Sequence, residues 1–185
     1  MSLAVVPTLQ NVYAPIVAFI ISVTGLADTQ VIQGIQNRAP MPEPNFIVVQ
    51  ALFRHRNITN IDIPDELTEP PVTAGIQEGV ELTVQIDCYG LSGCDWANML
   101  SATLRDEYGC TALAALGAAM TPPFELQPLY ADDARMIPLV DGEEQYEERW
   151  SVDARFQINP LTTIPQQYAD VAKLTMINVE EAYPA

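Results

Sequence analysis

Basic side chains are scarce: the 185 residues hold eight Lys plus Arg against 24 Asp plus Glu, for a formal net charge of −16. Affinity for nucleic acid comes mainly from Lys and Arg displacing counterions from phosphates, so this balance excludes phosphate-driven binding of DNA or RNA. It equally disfavours docking on anionic lipid. Three cysteines (Cys88, Cys94, Cys110) are too few for a disulfide scaffold and fit a reducing compartment. The apolar run from Pro15 to Val23 falls well short of the ~20 residues a spanning helix needs. The first basic residue is Arg38, so that run lacks the leading positive charge of an export signal. The expectation is a soluble chain made in the cytosol, with no membrane partner.

What is present is apolar material: hydrophobic residues make up 49% of the chain, enough to offset ordering entropy despite the charge. At roughly 150 residues per domain, the length predicts a single domain over 1–185. Val12, Ile16, Phe19, Ile20 and Val23 recur at helical spacing, predicting a helix from about Asn11 to Leu26, with Asn11 as N-cap and Pro15 in the first turn. Val31–Ile35 reads as a short strand. Phe46–Arg54, apolar on both faces, reads as a central strand covered on both sides.

Periodicity is lost from Asn57 to Glu78, where Pro64, Pro70 and Pro71 stand among acidic residues. This predicts a long acidic loop or arm, with Ile58, Ile61 and Ile63 as weak strand material for a protruding hairpin. Val80, Leu82, Val84, Ile86 and Cys88 then alternate with polar residues as a half-buried strand. Trp96 to Tyr108 has the spacing of a second helix started by Ser92 or Asp95, and Ala112–Ala119 adds a turn or two. Phe124–Tyr130 reads as a strand. The clearest strand places Tyr146, Trp150, Val152, Ala154, Phe156 and Ile158 on one face, with Glu148 the single charge in that row. Glu147, Arg149, Ser151, Asp153, Arg155 and Gln157 share the other face, and Leu174–Glu180 offers one more strand. This order predicts an α+β fold, a mostly antiparallel sheet with helices packed on one face.

Catalytic signatures fail on inspection. His55 is the only histidine, so any Ser-His-Asp or Cys-His arrangement would have to include it. Gly90-Leu91-Ser92-Gly93-Cys94 sits where a nucleophile elbow belongs, but Cys94 stands where the motif needs glycine and the histidine precedes the serine. Ser92 reads instead as a helix cap. No C-x-x-C pair exists, and if Cys94 and Cys110 flank one straight helix its rise separates them by about 24 Å, too far to share an ion. The acidic runs Asp132-Asp133 and Asp141–Glu148 lack calcium-loop spacing and read as solvated turns. No cofactor or metal is implied.

Arg54-His55-Arg56 is the one basic cluster in an acidic chain. One reading is a solvated strand end. The other is a subunit contact in which Arg54 and Arg56 meet Asp141, Glu143, Glu144 and Glu147 of a neighbouring copy, a heterologous contact that closes into a ring.

The carboxy-terminal half carries a resemblance. Phe124-Glu125-Leu126-Gln127-Pro128-Leu129-Tyr130-Ala131-Asp132-Asp133 resembles a segment of tailed-bacteriophage neck or tail terminator proteins. Gly142-Glu143-Glu144-Gln145-Tyr146-Glu147-Glu148-Arg149-Trp150, then Gln157-Ile158-Asn159-Pro160, then Pro165-Gln166-Gln167-Tyr168-Ala169-Asp170 continue it in order. Upstream, Val84-Gln85-Ile86-Asp87-Cys88-Tyr89-Gly90 before an aromatic-containing helix is similar too. The likeness runs from about Val80 to Asp170 and fades before it, and Ala134 stands where the family pattern has proline.

The resemblance implies an α+β structural virion protein, made in the host cytoplasm. Such proteins form a hexameric ring at the head-proximal end of the tail, end tail-tube polymerisation, and contact both tail-tube protein and the head-side connector or stopper. Genomic DNA would pass through the ring without specific binding, and no catalytic residues carry over. Two alternatives remain: a head-completion or stopper protein of the neck, and a small α+β ligand-binding domain or enzyme using Glu148 or Asp87 as a buried carboxylate.

Overall fold

Twelve strands and three helices occupy residues 3–35, 45–64, 73–140 and 146–165, the parts of the chain that a computed structural model describes. In chain order they are β1 (Ala4–Val6), α1 (Leu9–Thr24), β2 (Val31–Gln33), β3 (Phe46–Arg56), β4 (Ile61–Pro64), β5 (Thr73–Gln77) and β6 (Val80–Tyr89). Then follow α2 (Gly93–Leu104), α3 (Glu107–Ala118), β7 (Leu126–Ala131), β8 (Arg135–Met136), β9 (Leu139–Val140), β10 (Tyr146–Glu147), β11 (Arg149–Ile158) and β12 (Leu161–Pro165).

Helix α1 begins earlier than the apolar spacing suggests. Thr8 is the N-cap: its hydroxyl accepts from the Asn11 N–H at 3.3 Å, and Asn11 Oδ1 accepts from the Thr8 N–H at 2.9 Å. Asn11 is therefore the third helical residue, closing a capping box in place of starting the helix. The shift moves Pro15 out of the first turn into the helix interior, where it has no N–H to donate. Gly25 ends the helix at φ 72°, a conformation that glycine adopts at no steric cost.

The predicted second helix is two helices. The chain turns at Arg105-Asp106, and the Asp106 carboxylate caps α3 by accepting from the Tyr108 N–H at 2.9 Å. A capping aspartate outranks apolar spacing here, so Tyr108 belongs to α3, and the alanine-rich stretch is the body of a full helix. The straight-helix separation of Cys94 from Cys110 no longer applies.

The main sheet has the order β2-β3-β6-β11-β7, with β8 also on β11, and every pairing in it is antiparallel except β2 with β3. The register places Ile86 between Val49 and Val152, and Val84 between Ala51 and Ala154. These side chains face Ile16, Phe19 and Ile20 of α1, Leu100 and Leu104 of α2 and Leu113 of α3, all in one buried cluster. The α+β class with helices on one face is thus realised. Strand β3 is covered only in its first half; Leu52 to Arg56 are exposed, beyond the reach of β2.

The aperiodic stretch 57–78 is not a loop throughout. β4 and β5 pair antiparallel within a second sheet of order β1-β12-β5-β4. β3 leads into β4, β5 into β6 and β11 into β12, so the same three-strand order continues past a bend. The Asn57 N–H donates to Gly79 O at 2.9 Å and the Glu78 N–H to Pro160 O at 3.0 Å, carrying the ladder across that bend. Strands β1 and β12 were not legible in the sequence, β1 being only three residues long and β12 short and rich in threonine and proline. The expected strand Leu174–Glu180 lies outside the described residues.

Candidate assembly surface

Two surfaces remain once the helices have covered one face of the main sheet: its opposite face, and the arm formed by β1, β12, β5 and β4. On the opposite face, alternate residues of β6 and β11 are polar because strand periodicity turns them away from the helices. Arg149 Nη2 lies 3.0 Å from Asp87 Oδ2, and Gln85 Nε2 donates to Asp87 Oδ1 at 2.9 Å and to Ser151 Oγ at 3.1 Å. Arg135 pairs Asp153 at 2.6 Å, and Arg155 reaches Glu81 at 4.0 Å. At the sheet edge Arg105 pairs Asp133 at 2.8 Å, lies over the Tyr130 ring and donates to Ala131 O. Its guanidinium pKa is raised, first by the Asp133 hydrogen bond.

Arg54 Nη2 lies 2.8 Å from Glu78 Oε2 of its own chain. Among the described arginines only Arg56 meets no carboxylate: its Nη1 donates to Asn60 Oδ1 at 3.2 Å, and the residue is exposed. The basic cluster is therefore half spent within the subunit. Of the acidic residues expected to meet it, Asp141, Glu143 and Glu144 lie outside the described residues. Glu147, in β10, sits at the Tyr89 end of the main sheet, whereas Arg54 and Arg56 pair with the Val80 end. Nine strand steps separate the two ends, roughly 30 Å. Within one subunit Glu147 is therefore far from Arg54 and Arg56.

The β4–β5 part of the arm is the protruding hairpin that the sequence offered as one reading of 57–78, and its extension by β12 and β1 is what sequence reasoning missed. None of the residues of its four strands is buried, and Asp62 is the only charged one. Ile61, Ile63 and Val5 are each at least 40% exposed. Gly75 leaves a hollow beneath Ile63 and Leu161; a Cβ there would lie 2.7 Å from Leu161 Cδ1. The isoleucine alternation at Ile61 and Ile63 was the available signal.

Of the groups weighed for chemistry, the two carboxylates are engaged within the subunit. Ser92 is the N-cap position of α2 but makes no side-chain cap bond. Glu148 Oε1 accepts from the Trp150 indole N–H at 2.7 Å, and Asp87 is ion-paired as above. Burial, with Asp87 adding to it, pushes the Cys88 thiol up to about 12, whereas Cys94 and Cys110 are partly exposed. Among the described residues no group of three or more His, Cys, Asp or Glu is placed to hold a metal ion. No helix among them is long and apolar enough to cross a membrane.

An exposed apolar arm beside a self-neutralised sheet face suits assembly better than turnover, and comparison with known families agrees. The family model of the phage neck terminator protein matches residues 10–182. The chain belongs to that family. It is a structural protein of the bacteriophage neck, and the match extends well upstream of Val80, where the likeness read from the sequence had faded. A comparison with curated proteins finds no match.

Proposed function

We propose that this neck protein forms a ring of identical copies at the head-proximal end of the tail, where it ends tube polymerisation and joins the tail to the head-side connector. The observation that carries this reading is electrostatic. The chain bears −16, and five of its six described arginines are already opposed by carboxylates of the same subunit. The net charge is therefore carried by carboxylates in excess of the basic groups that could neutralise them. A bore lined by such subunits repels phosphates and offers no counterion-releasing contact, so a genome passes without sticking.

Gold-labelled antibody against the chain, imaged on intact virions, tests the location. Label at the junction of capsid and tail is expected, together with overlong or headless tails when the chain is missing. Label elsewhere on the particle, or normal tails without the chain, overturns the reading. Label on the capsid side of the junction, with tails of normal length, would identify a stopper.

A further inference from the structure

A sheet with no buried face lacks what holds sheets together in isolation: three or more strands need an apolar face packed against something. Among the described residues nothing buries either face of the arm, although apolar side chains lie on both, which leaves a surface suited to a partner. Its two outer strands are the second clue. Three successive antiparallel pairings, β4 with β5, β5 with β12 and β12 with β1, leave β1 and β4 running in opposite senses. Among the described residues nothing pairs the outer edge of either.

The geometry points to a second copy of this chain as that partner, with the β4 edge of one subunit adding antiparallel to the β1 edge of the next. Each copy then offers one donor edge and one acceptor edge, a heterologous contact that closes when repeated around an axis. This rests on the ring proposed above and names its seam.

Charge selects a copy over an unrelated strand. At the β4 edge, Arg56 and its partner Asn60 lie just before Ile61, in the row Ile61-Gln77-Leu161-Val6 that crosses the arm. Toward the other end of that row, Glu125 borders the same hollow as Gln77, Leu161 and Val6; it is exposed and, among the described residues, accepts from Asn159 Nδ2 at 3.1 Å. Continuing the sheet by one subunit brings the Arg56 edge level with the Glu125 edge. The acidic partner of Arg56 is then Glu125, whereas Glu147 lies toward the far end of the main sheet.

Val5 and Asp62 project from the same face, since the register Val5-Thr162-Ile76-Asp62 runs straight across. Cysteines at both positions, in a chain with Cys94→Ser and Cys110→Ser, should give a ladder of covalent oligomers under mild oxidation, absent from either single replacement. Separately, Arg56→Glu and Glu125→Arg should each weaken assembly at least tenfold, and the two together should restore it, with unchanged circular dichroism throughout. Rings that form while the cysteines stay unlinked and the double charge swap rescues nothing overturn this seam and leave the ring standing. A chain that stays monomeric even on tail tubes overturns both.

Discussion

Arg149 and Asp87 meet across β11 and β6, guanidinium to carboxylate at 3.0 Å, on the face of the main sheet turned away from α1, α2 and α3. Their side chains are 21% and 12% exposed, so each charge depends on the other for much of its solvation. Removing one member leaves the other half-buried and unpaired. Arg149→Met should therefore cost about 2–4 kcal/mol in urea unfolding, and the double change Arg149→Met with Asp87→Leu should recover most of it. Equal losses in the single and double variants would show that the pair is not coupled.

Gly109 stands where α3 turns back on α2, and a Cβ there would press into the backbone carbonyl of Thr103, which cannot swing aside. Gly109→Ala should cost about 1–3 kcal/mol even though alanine is the better helix former, because overpacking outweighs propensity. A rise in thermal midpoint would contradict the packing described for the α2–α3 turn.

The buried Cys88 thiol makes two checkable statements. At pH 8 a thiol reagent should titrate Cys94 and Cys110 in the native chain and all three cysteines in denaturant, since burial holds Cys88 protonated and shielded. The linkage sign follows from a folded value of about 12 above the ordinary value of 9.0. Above pH 9 the unfolded state releases the proton that the folded state keeps, so this contribution, intact below pH 9, is lost between 9 and 12. Cys88→Ala should flatten that part of a stability–pH curve.

Copies carrying −16 repel one another over distances that salt shortens to roughly 8–10 Å at physiological strength. Ring formation should therefore strengthen as salt rises from about 10 mM, where the screening length is near 30 Å, to about 150 mM. Sedimentation at a series of salt concentrations reads this directly. Steady weakening over that range would mean that attraction at the seam exceeds the net repulsion.

The legible parts of this protein share one property: each had a period long enough to be counted. Strand β6 alternated through five apolar residues, β11 through an equally long row, and α1 kept its helical spacing across four turns, so their faces followed. The misread parts were decided by neighbours. Asp106 breaks a helix that apolar spacing would continue, because its carboxylate takes the Tyr108 N–H. The weak strand signal of Ile61 and Ile63 becomes a hairpin through pairing with Gly75 and its flanking residues. Arg54 looked free for a partner chain, and Glu78, 24 residues away, already holds it.

The sequence by itself determined the acidic field, the α+β order and the two long strands, since charge counts and periodicities are properties of a chain at any separation. Only the tertiary structure decided which of the described arginines meets no carboxylate and which sheet has no residue buried among those described. Both are sums over residues far apart in the chain, and a partner's absence becomes visible only when every near neighbour in space is in place.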